Sequence, residues 1–194
     1  MISCIMLFYE WIDFLTMINE VFRLLKRFMP SEHVKSIFDI RPEALAERGI
    51  KGVITDLDNT LVAWDVRDAT KEVLTWISDL EAHGIKVTVL SNNNEERVRL
   101  FCEPIGTPYV FSARKPLSRS FRKAAKAMGI SKEHIVVIGD QLMTDVLGGN
   151  SAGFQTILVV PIVKTDGWMT RINRKIERRI LNYMRKKGQI KWEE

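Results

Sequence analysis

Hydrophobic and polar positions along this 194-residue chain switch between two rhythms. Short, nearly continuous apolar runs bounded by polar residues read as buried strands: "KGVITD" at 51–56, "IKVTVLSNN" at 85–93, "TPYVFSA" at 107–113, "HIVVIGD" at 134–140 and "FQTILVV" at 154–160. Between them lie stretches of helical period. "ATKEVLTWISDLEAHG" at 69–84 places Val73, Leu74, Ile77 and Leu80 at helical spacing and stops at Gly84. "EERVRLFCEPIG" at 95–106 reads as a helix. So does "PLSRSFRKAAKAMG" at 116–129, which opens near a proline and closes on Gly129. "TDVLGGNSAG" reads as a short helix; its glycines lack dinucleotide-binding spacing and suggest a tight passage between helix and strand. Upstream, "RPEALAERG" reads as a short helix, while "HVKSIFDI" fits either strand or helix. Strands alternating with helices imply right-handed crossovers, a mostly parallel sheet and helices on both faces: a Rossmann-like three-layer α/β/α sandwich.

The two ends of the chain follow a different pattern. Phe8, Trp11, Ile12, Leu15, Ile18, Phe22 and Leu25 form one apolar stripe, so residues 1–30 read as an amphipathic helix that docks on the core or lies on a membrane surface. Glu10, Asp13 and Glu20 interrupt it well short of the ~20 apolar residues a bilayer span needs, and it lacks a basic region and cleavage site of signal-peptide type. Met17 offers an alternative start, with residues 1–16 then an over-extended reading frame. The catalytic core is expected over 31–164 and a basic amphipathic helix and tail over 165–194. In that last segment Met169, Ile172, Ile176, Ile180 and Tyr183 form the apolar stripe.

Charge sharpens this division. Residues 164–194 hold ten Lys/Arg against four Asp/Glu, a surplus of six, while the rest of the chain carries 19 against 20. The net charge of +5 therefore sits entirely in the tail. A basic amphipathic segment suits an anionic membrane surface or a phosphate backbone; its plain alternative is a solvated helix face. No RNA-binding module or aromatic platform stands beside it, so nucleic acid ranks below lipid as a partner. Cys4 and Cys102 have no metal-ligand spacing and form no disulfide framework, which suits a reducing compartment. His33, His83 and His134 carry no triad or ligand spacing and read as surface or structural groups.

The chemistry gathers where a parallel sheet places ligands, at the carboxyl ends of its strands. The first core strand runs into Asp56 and Asp58, which lie two apart and so on one face. The second ends in Ser91 and Asn92, Lys115 follows the third, and the fourth ends in Gly139 and Asp140 with Asp145 five further on. Acids gathered so closely need a counter-cation, and a hard divalent ion such as Mg²⁺ suits oxygen ligands. Lys115 and Ser91 offer positive charge and a donor to phosphoryl oxygens. Asp145 has an ordinary reading as well, as a helix N-cap; nearby, Thr60 also reads as a turn cap and Trp64, on the loop after the first core strand, as packing rather than substrate contact.

"DLDNT", "VLSNN", Lys115 in "ARKP" and "GDQLMTD" resemble, in order and spacing, the four motifs of the haloacid dehalogenase superfamily of phosphatases. From about residue 28 onward, "SEHVKSIFDI", "GDQLMTDVLGGN" and "ILVVP" resemble more narrowly the YqeG family of bacterial proteins, related to mitochondrial phosphatidylglycerophosphate phosphatases. The resemblance implies Asp56 as nucleophile, forming an aspartyl-phosphate, and Asp58 as general acid and then base. It implies Mg²⁺ held by the Asp56 side chain, the Asp58 backbone carbonyl and Asp140, with Asp145 orienting Lys115 or a metal-bound water. Ser91, the backbone of Asn92 and Lys115 would bind the phosphoryl group, and Thr60 would brace the first loop. Only one helix separates Thr60 from the second strand, and 93–114 has room for one more helix and a short strand, so no cap domain is expected. An open site suits a large or membrane-bound substrate. The expectation is a cytoplasmic enzyme, peripheral on the inner face of the membrane, acting on an anionic phospholipid. Soluble sugar or nucleotide phosphates are the enzymatic alternative, and an RNA- or ribosome-associated role is the non-enzymatic one. Oligomeric state is not readable from the pattern.

Overall fold

A computed structural model describes residues 25–163, 179–182 and 186. Most of both terminal segments, including the apolar stripe of residues 8–22 and most of the basic tail, lies outside these described residues.

The described chain winds one six-stranded sheet. In chain order it runs β1 (Glu32–Val34), α1 (Pro42–Glu47), β2 (Gly52–Thr55), α2 (Lys71–Ala82), β3 (Lys86–Leu90), α3 (Glu95–Cys102), β4 (Tyr109–Val110), α4 (Ser118–Met128), β5 (Ile135–Gly139), α5 (Leu147–Ala152) and β6 (Gln155–Val159). The strands pair in the order β1-β6-β5-β2-β3-β4, and every pairing is parallel. The chain steps outward from β2 to β3 to β4, then crosses back to lay β5 on the other side of β2. The strand order therefore reverses between β2 and β5, and a crevice opens at their carboxyl ends.

The central strands are apolar throughout because both faces are covered: every residue of β2 and β5 is buried. On one face Val53, Val87, Val136 and Ile138 pack with Trp76 and Leu80 of α2 and Phe101 of α3. On the other, Ile54, Leu90 and Val137 pack with Phe121 and Ala124 of α4 and Ala152 of α5. The glycine pair of "GGNSAG" explains the closeness of that second layer. A side chain on Gly148 would strike the Phe121 ring, and one on Gly149 would strike Thr156 and Val137. The passage between α5 and the sheet is as tight as the sequence suggests.

Helix starts follow their caps. Thr70 accepts a hydrogen bond from the Val73 amide at 3.3 Å, and Asn94 accepts one from the Arg97 amide at 2.9 Å. Helix α3 ends earlier than its apolar period suggests, at Cys102, because Pro104 offers no amide to continue it. The ambiguous "HVKSIFDI" divides into the short strand β1 and a 3₁₀ turn at Ile37–Asp39, closed by a capping box between Ser36 and Asp39. Ahead of α5 the backbone makes one wide π-turn, Leu142–Val146. A third, smaller cluster covers that turn: Leu142, Val146 and Leu158 pack with Leu181, and Phe28 and Ile180 lie against them. Among the described residues no helix is long and apolar enough to cross a membrane.

Candidate active site

Strand β2 delivers its polar end without breaking the ladder: the Asp56 amide still donates to the Ile138 carbonyl of β5 at 2.9 Å. The chain then turns sharply. Leu61 and Val62 amides return to the Leu57 carbonyl, the Asn59 amide donates to the Val62 carbonyl at 2.7 Å, and Asn59 takes a left-handed φ of 65°. Asparagine tolerates that conformation better than most residues. The turn carries Thr60 to β5, where its hydroxyl donates to Asp140 Oδ1 at 3.2 Å.

Three carboxylates, from Asp56, Asp140 and Asp145, bury themselves together, with ligand oxygens within 4.8 Å of one another. One cation stands among them. Lys115 Nζ lies 2.6 Å from Asp56 Oδ1 and 2.6 Å from Asp145 Oδ1, and its side chain is almost wholly shielded from solvent. Asp145 is itself fixed on its other oxygen, by the Gln141 amide and the Thr144 hydroxyl, each at 3.2 Å. Gly139 makes room for it, since any side chain there would overlap the Asp145 carboxylate. Lys115 is aimed by its own backbone: its amide donates to Asn92 Oδ1 at 2.7 Å, and Asn92 Nδ2 donates back to its carbonyl at 3.3 Å.

The electrostatics follow from that burial. Desolvation pushes the Asp56 carboxyl up to about 8, against the pull of Lys115 and with the help of Asp145 and Asp140. Burial would lower Lys115, but Asp145 and Asp56 outweigh it and hold the ammonium above its ordinary value. Once all three carboxylates are ionised, one ammonium leaves a formal deficit of two charges, which a hard divalent cation with oxygen ligands would balance. The donor set, all carboxylate oxygen with no thiol or imidazole, fits such an ion.

Asp58 stands apart from this cluster. Its Oδ1 accepts from Arg97 Nε at 3.1 Å and Nη2 at 2.9 Å, and its Oδ2 accepts from Asn93 Nδ2 at 3.1 Å. The mouth of the site is a polar basin of about 370 Å³ at the ends of β2 and β3, lined by Asp56, Asp58, Asn59, Ser91, Asn92 and Lys115 among others. Ser91 is buried at its base. Its oxygen accepts from the Asn93 amide at 3.0 Å, leaving its own proton to donate. Trp64, 53% exposed, stands at the rim, and no element covers the basin among the described residues.

All eight residues singled out at strand ends thus come to one crevice, although Asp58 offers its carboxylate to Arg97 and Asn93 rather than to the three-acid cluster. Arg97 and Asn93 were not singled out. Asn93 was legible as part of the polar strand end. Arg97 reads, within "EERVR", as one more charge on a solvated helix face. Two histidines lie away from the basin: His134 donates to the Gly49 carbonyl at 2.8 Å, and His83 to the Asp79 carbonyl at 2.7 Å.

Comparison with known proteins places this geometry in a family. Residues 20–153 match the model of the haloacid dehalogenase-like hydrolases. The chain is 57% identical over 171 residues to the probable phosphatase YqeG of Bacillus subtilis, covering 88% of this chain and 99% of that one. It is 26% identical over 170 residues to the chloroplastic/mitochondrial phosphatidylglycerophosphate phosphatase 1 of Arabidopsis thaliana, covering 82% of this chain and 49% of that protein. Among solved structures, the cobalt-bound deoxy-D-mannose-octulosonate 8-phosphate phosphatase of Haemophilus influenzae shares the fold, with a TM-score of 0.50 at 20% identity, over 71% of this chain and 90% of that one.

Proposed function

We propose, from the premise that this chain belongs to the haloacid dehalogenase-like hydrolases, that it is a Mg²⁺-dependent phosphomonoesterase working through an aspartyl-phosphate on Asp56. The observation that carries the reading is the buried Asp56 carboxylate at the end of β2, held at 2.6 Å by Lys115 and opening onto a polar basin. A divalent ion bound by Asp56 and Asp140 would supply positive charge to the phosphoryl oxygens.

In this scheme an Asp56 oxygen attacks phosphorus and the bond to the leaving alcohol breaks. Asp58, placed as the general acid, passes a proton to the departing oxygen. Water then attacks the same phosphorus, passes a proton to Asp58, and the bond to Asp56 breaks to release phosphate. Ser91, the Asn92 amide and Lys115 hold the phosphoryl oxygens, while Thr60 keeps the β2 turn in register with Asp140. The test is Mg²⁺-dependent release of phosphate from p-nitrophenyl phosphate. Asp56→Asn should lower kcat by at least about a thousandfold, because an amide is a poor nucleophile. Near-normal turnover by that variant, or full activity in EDTA, would overturn the scheme.

For the substrate we infer a phosphorylated anionic lipid, phosphatidylglycerophosphate, taken at the membrane surface. The relationship to the Arabidopsis enzyme supports this, and so does the distribution of exposed apolar side chains. Phe38, Trp64, Val66, Phe111, Leu117 and Ile162 all lie on segments leaving the carboxyl ends of strands, and Leu74 lies in the first half of α2, which begins at that edge. The loops at the opposite edge expose none of comparable size among the described residues. The segment 111–119, which runs into the first turn of α4, adds Arg114 and Arg119 and carries no acid. Apolar side chains flanked by arginine at the mouth of an uncapped site suit a lipid headgroup layer.

A further inference from the structure

The catalytic basin does not end at Asp58. Behind that carboxylate the Arg97 guanidinium forms a wall, bonded on one side to Asp58 and on the other, through Nη1, to the Arg67 carbonyl at 3.2 Å. Beyond the wall lies a second cavity of about 120 Å³, lined by Trp64, Asp65, Val66, Arg67, Arg97 and Leu100. Trp64 lines both spaces. In the proposed reaction Asp58 marks where the alcohol departs, and the second cavity therefore lies on the leaving-group side.

The geometry points to this second cavity as a leaving-group subsite that reads a second anion on the substrate alcohol, with Arg67 as the recognising cation. The inference rests on the phosphomonoesterase reading above and assigns recognition of the leaving group to one residue. Arg97 already spends three donors on Asp58 and the Arg67 carbonyl, and its side chain is largely buried. The Arg67 side chain is exposed and has no ion pair among the described residues, so its five donors are available to an anion. Asp65 faces the same space and suits hydroxyl donors rather than a second phosphate. Trp64, Val66 and Leu100 cover carbon. Such a lining fits a short polyol that carries the scissile monoester at one end and a phosphodiester at the other. The volume is well below the ~300 Å³ of a drug-sized pocket, so it takes a headgroup fragment and leaves any acyl chains outside.

The test compares two soluble esters, glycerophosphoglycerophosphate, which carries both phosphates, and glycerol 3-phosphate, which lacks the diester. Wild type should prefer the first by about tenfold or more in kcat/KM. Arg67→Ala should bring the two esters within about twofold, through KM rather than kcat, Arg67→Lys should restore part of the preference, and Arg67→Glu should reverse it. Glycerophosphoglycerol, the diester alone, should inhibit wild type competitively and Arg67→Ala at least tenfold more weakly. An Arg67→Ala enzyme that keeps the wild-type preference, or a wild type that hydrolyses p-nitrophenyl phosphate yet treats both esters alike, overturns the subsite and leaves the phosphatase reading standing. A wild type inert on all three esters with Mg²⁺ overturns both.

Discussion

Asp58 has the most constrained side chain at the mouth of the site that is not itself buried: three hydrogen bonds, two from Arg97 and one from Asn93, set its aim. Its proposed work is proton transfer, which is needed most when the leaving oxygen is basic. Asp58→Asn should therefore slow phosphorylation of the enzyme by alkyl phosphates by about a hundredfold or more while sparing aryl phosphates. Single-turnover measurements on both ester types check this, and equal losses on both would count against the acid role. Arg97→Ala should reproduce part of that pattern, since it frees the carboxylate without removing it. At Gly139 the constraint is spatial. A methyl group there meets the Asp145 carboxylate, so Gly139→Ala must displace the partner of Lys115. Overpacking of this kind costs about 1–3 kcal/mol, and thermal unfolding should show that loss together with a fall in kcat. The raised Asp56 sets the sign of a metal experiment. A carboxyl pushed up to about 8 holds its proton below that pH in the metal-free protein, and binding must expel it. Apparent Mg²⁺ affinity should thus climb as pH rises from 6 to 8, by up to about tenfold per unit, as titration calorimetry would read.

Between residues and the whole, the elements differ in how plainly the sequence announces them. Strands β2, β3, β5 and β6 are apolar runs because both faces of each are covered, and that makes them legible. Edge strand β1 has three half-buried residues, too few for any periodicity to separate strand from turn. The polar strand ends were legible for the same reason the strands were: each apolar run stops at a chemically distinctive residue, and a parallel sheet brings those stops to one edge. What could not be read is pairing between distant polar groups. Arg97 finds Asp58 across 39 positions, and nothing local marks it. The π-turn Leu142–Val146 was hidden similarly, because its shape depends on Asp145 folding back to the Gln141 amide and on Leu181 arriving from the far end of the chain. Leu181 and Ile180 belong to the segment expected to be a basic amphipathic helix, and here they meet the core. Leu181→Ala should cost about 2–5 kcal/mol in chemical denaturation. Because Leu142 and Val146 flank Asp145, it should also lower kcat more than an Ala substitution of equal cost on the α4 face of the sheet.

At the scale of the molecule, the catalytic groups and the conspicuous exposed apolar groups among the described residues share one end of the strands. If that end meets anionic lipid, Leu117→Glu combined with Ile162→Glu should weaken binding to phosphatidylglycerol vesicles and slow hydrolysis of vesicle-embedded substrate, while turnover of p-nitrophenyl phosphate stays at the wild-type level. Both positions are more than half exposed, so the double variant should fold. Co-sedimentation at low and moderate salt reads the binding, and equal binding by both proteins would remove the membrane from the account. A different consequence lies at the flanks of the sheet. Its outermost strands are its shortest, three residues in β1 and two in β4, and Pro108 precedes β4 with no amide to offer. A sheet that tapers so abruptly offers a neighbouring molecule almost no backbone to copy. Among the described residues, the fold thus keeps a wide, open, partly greasy working side while its sheet edges offer little backbone for its own copies to pair with edge to edge.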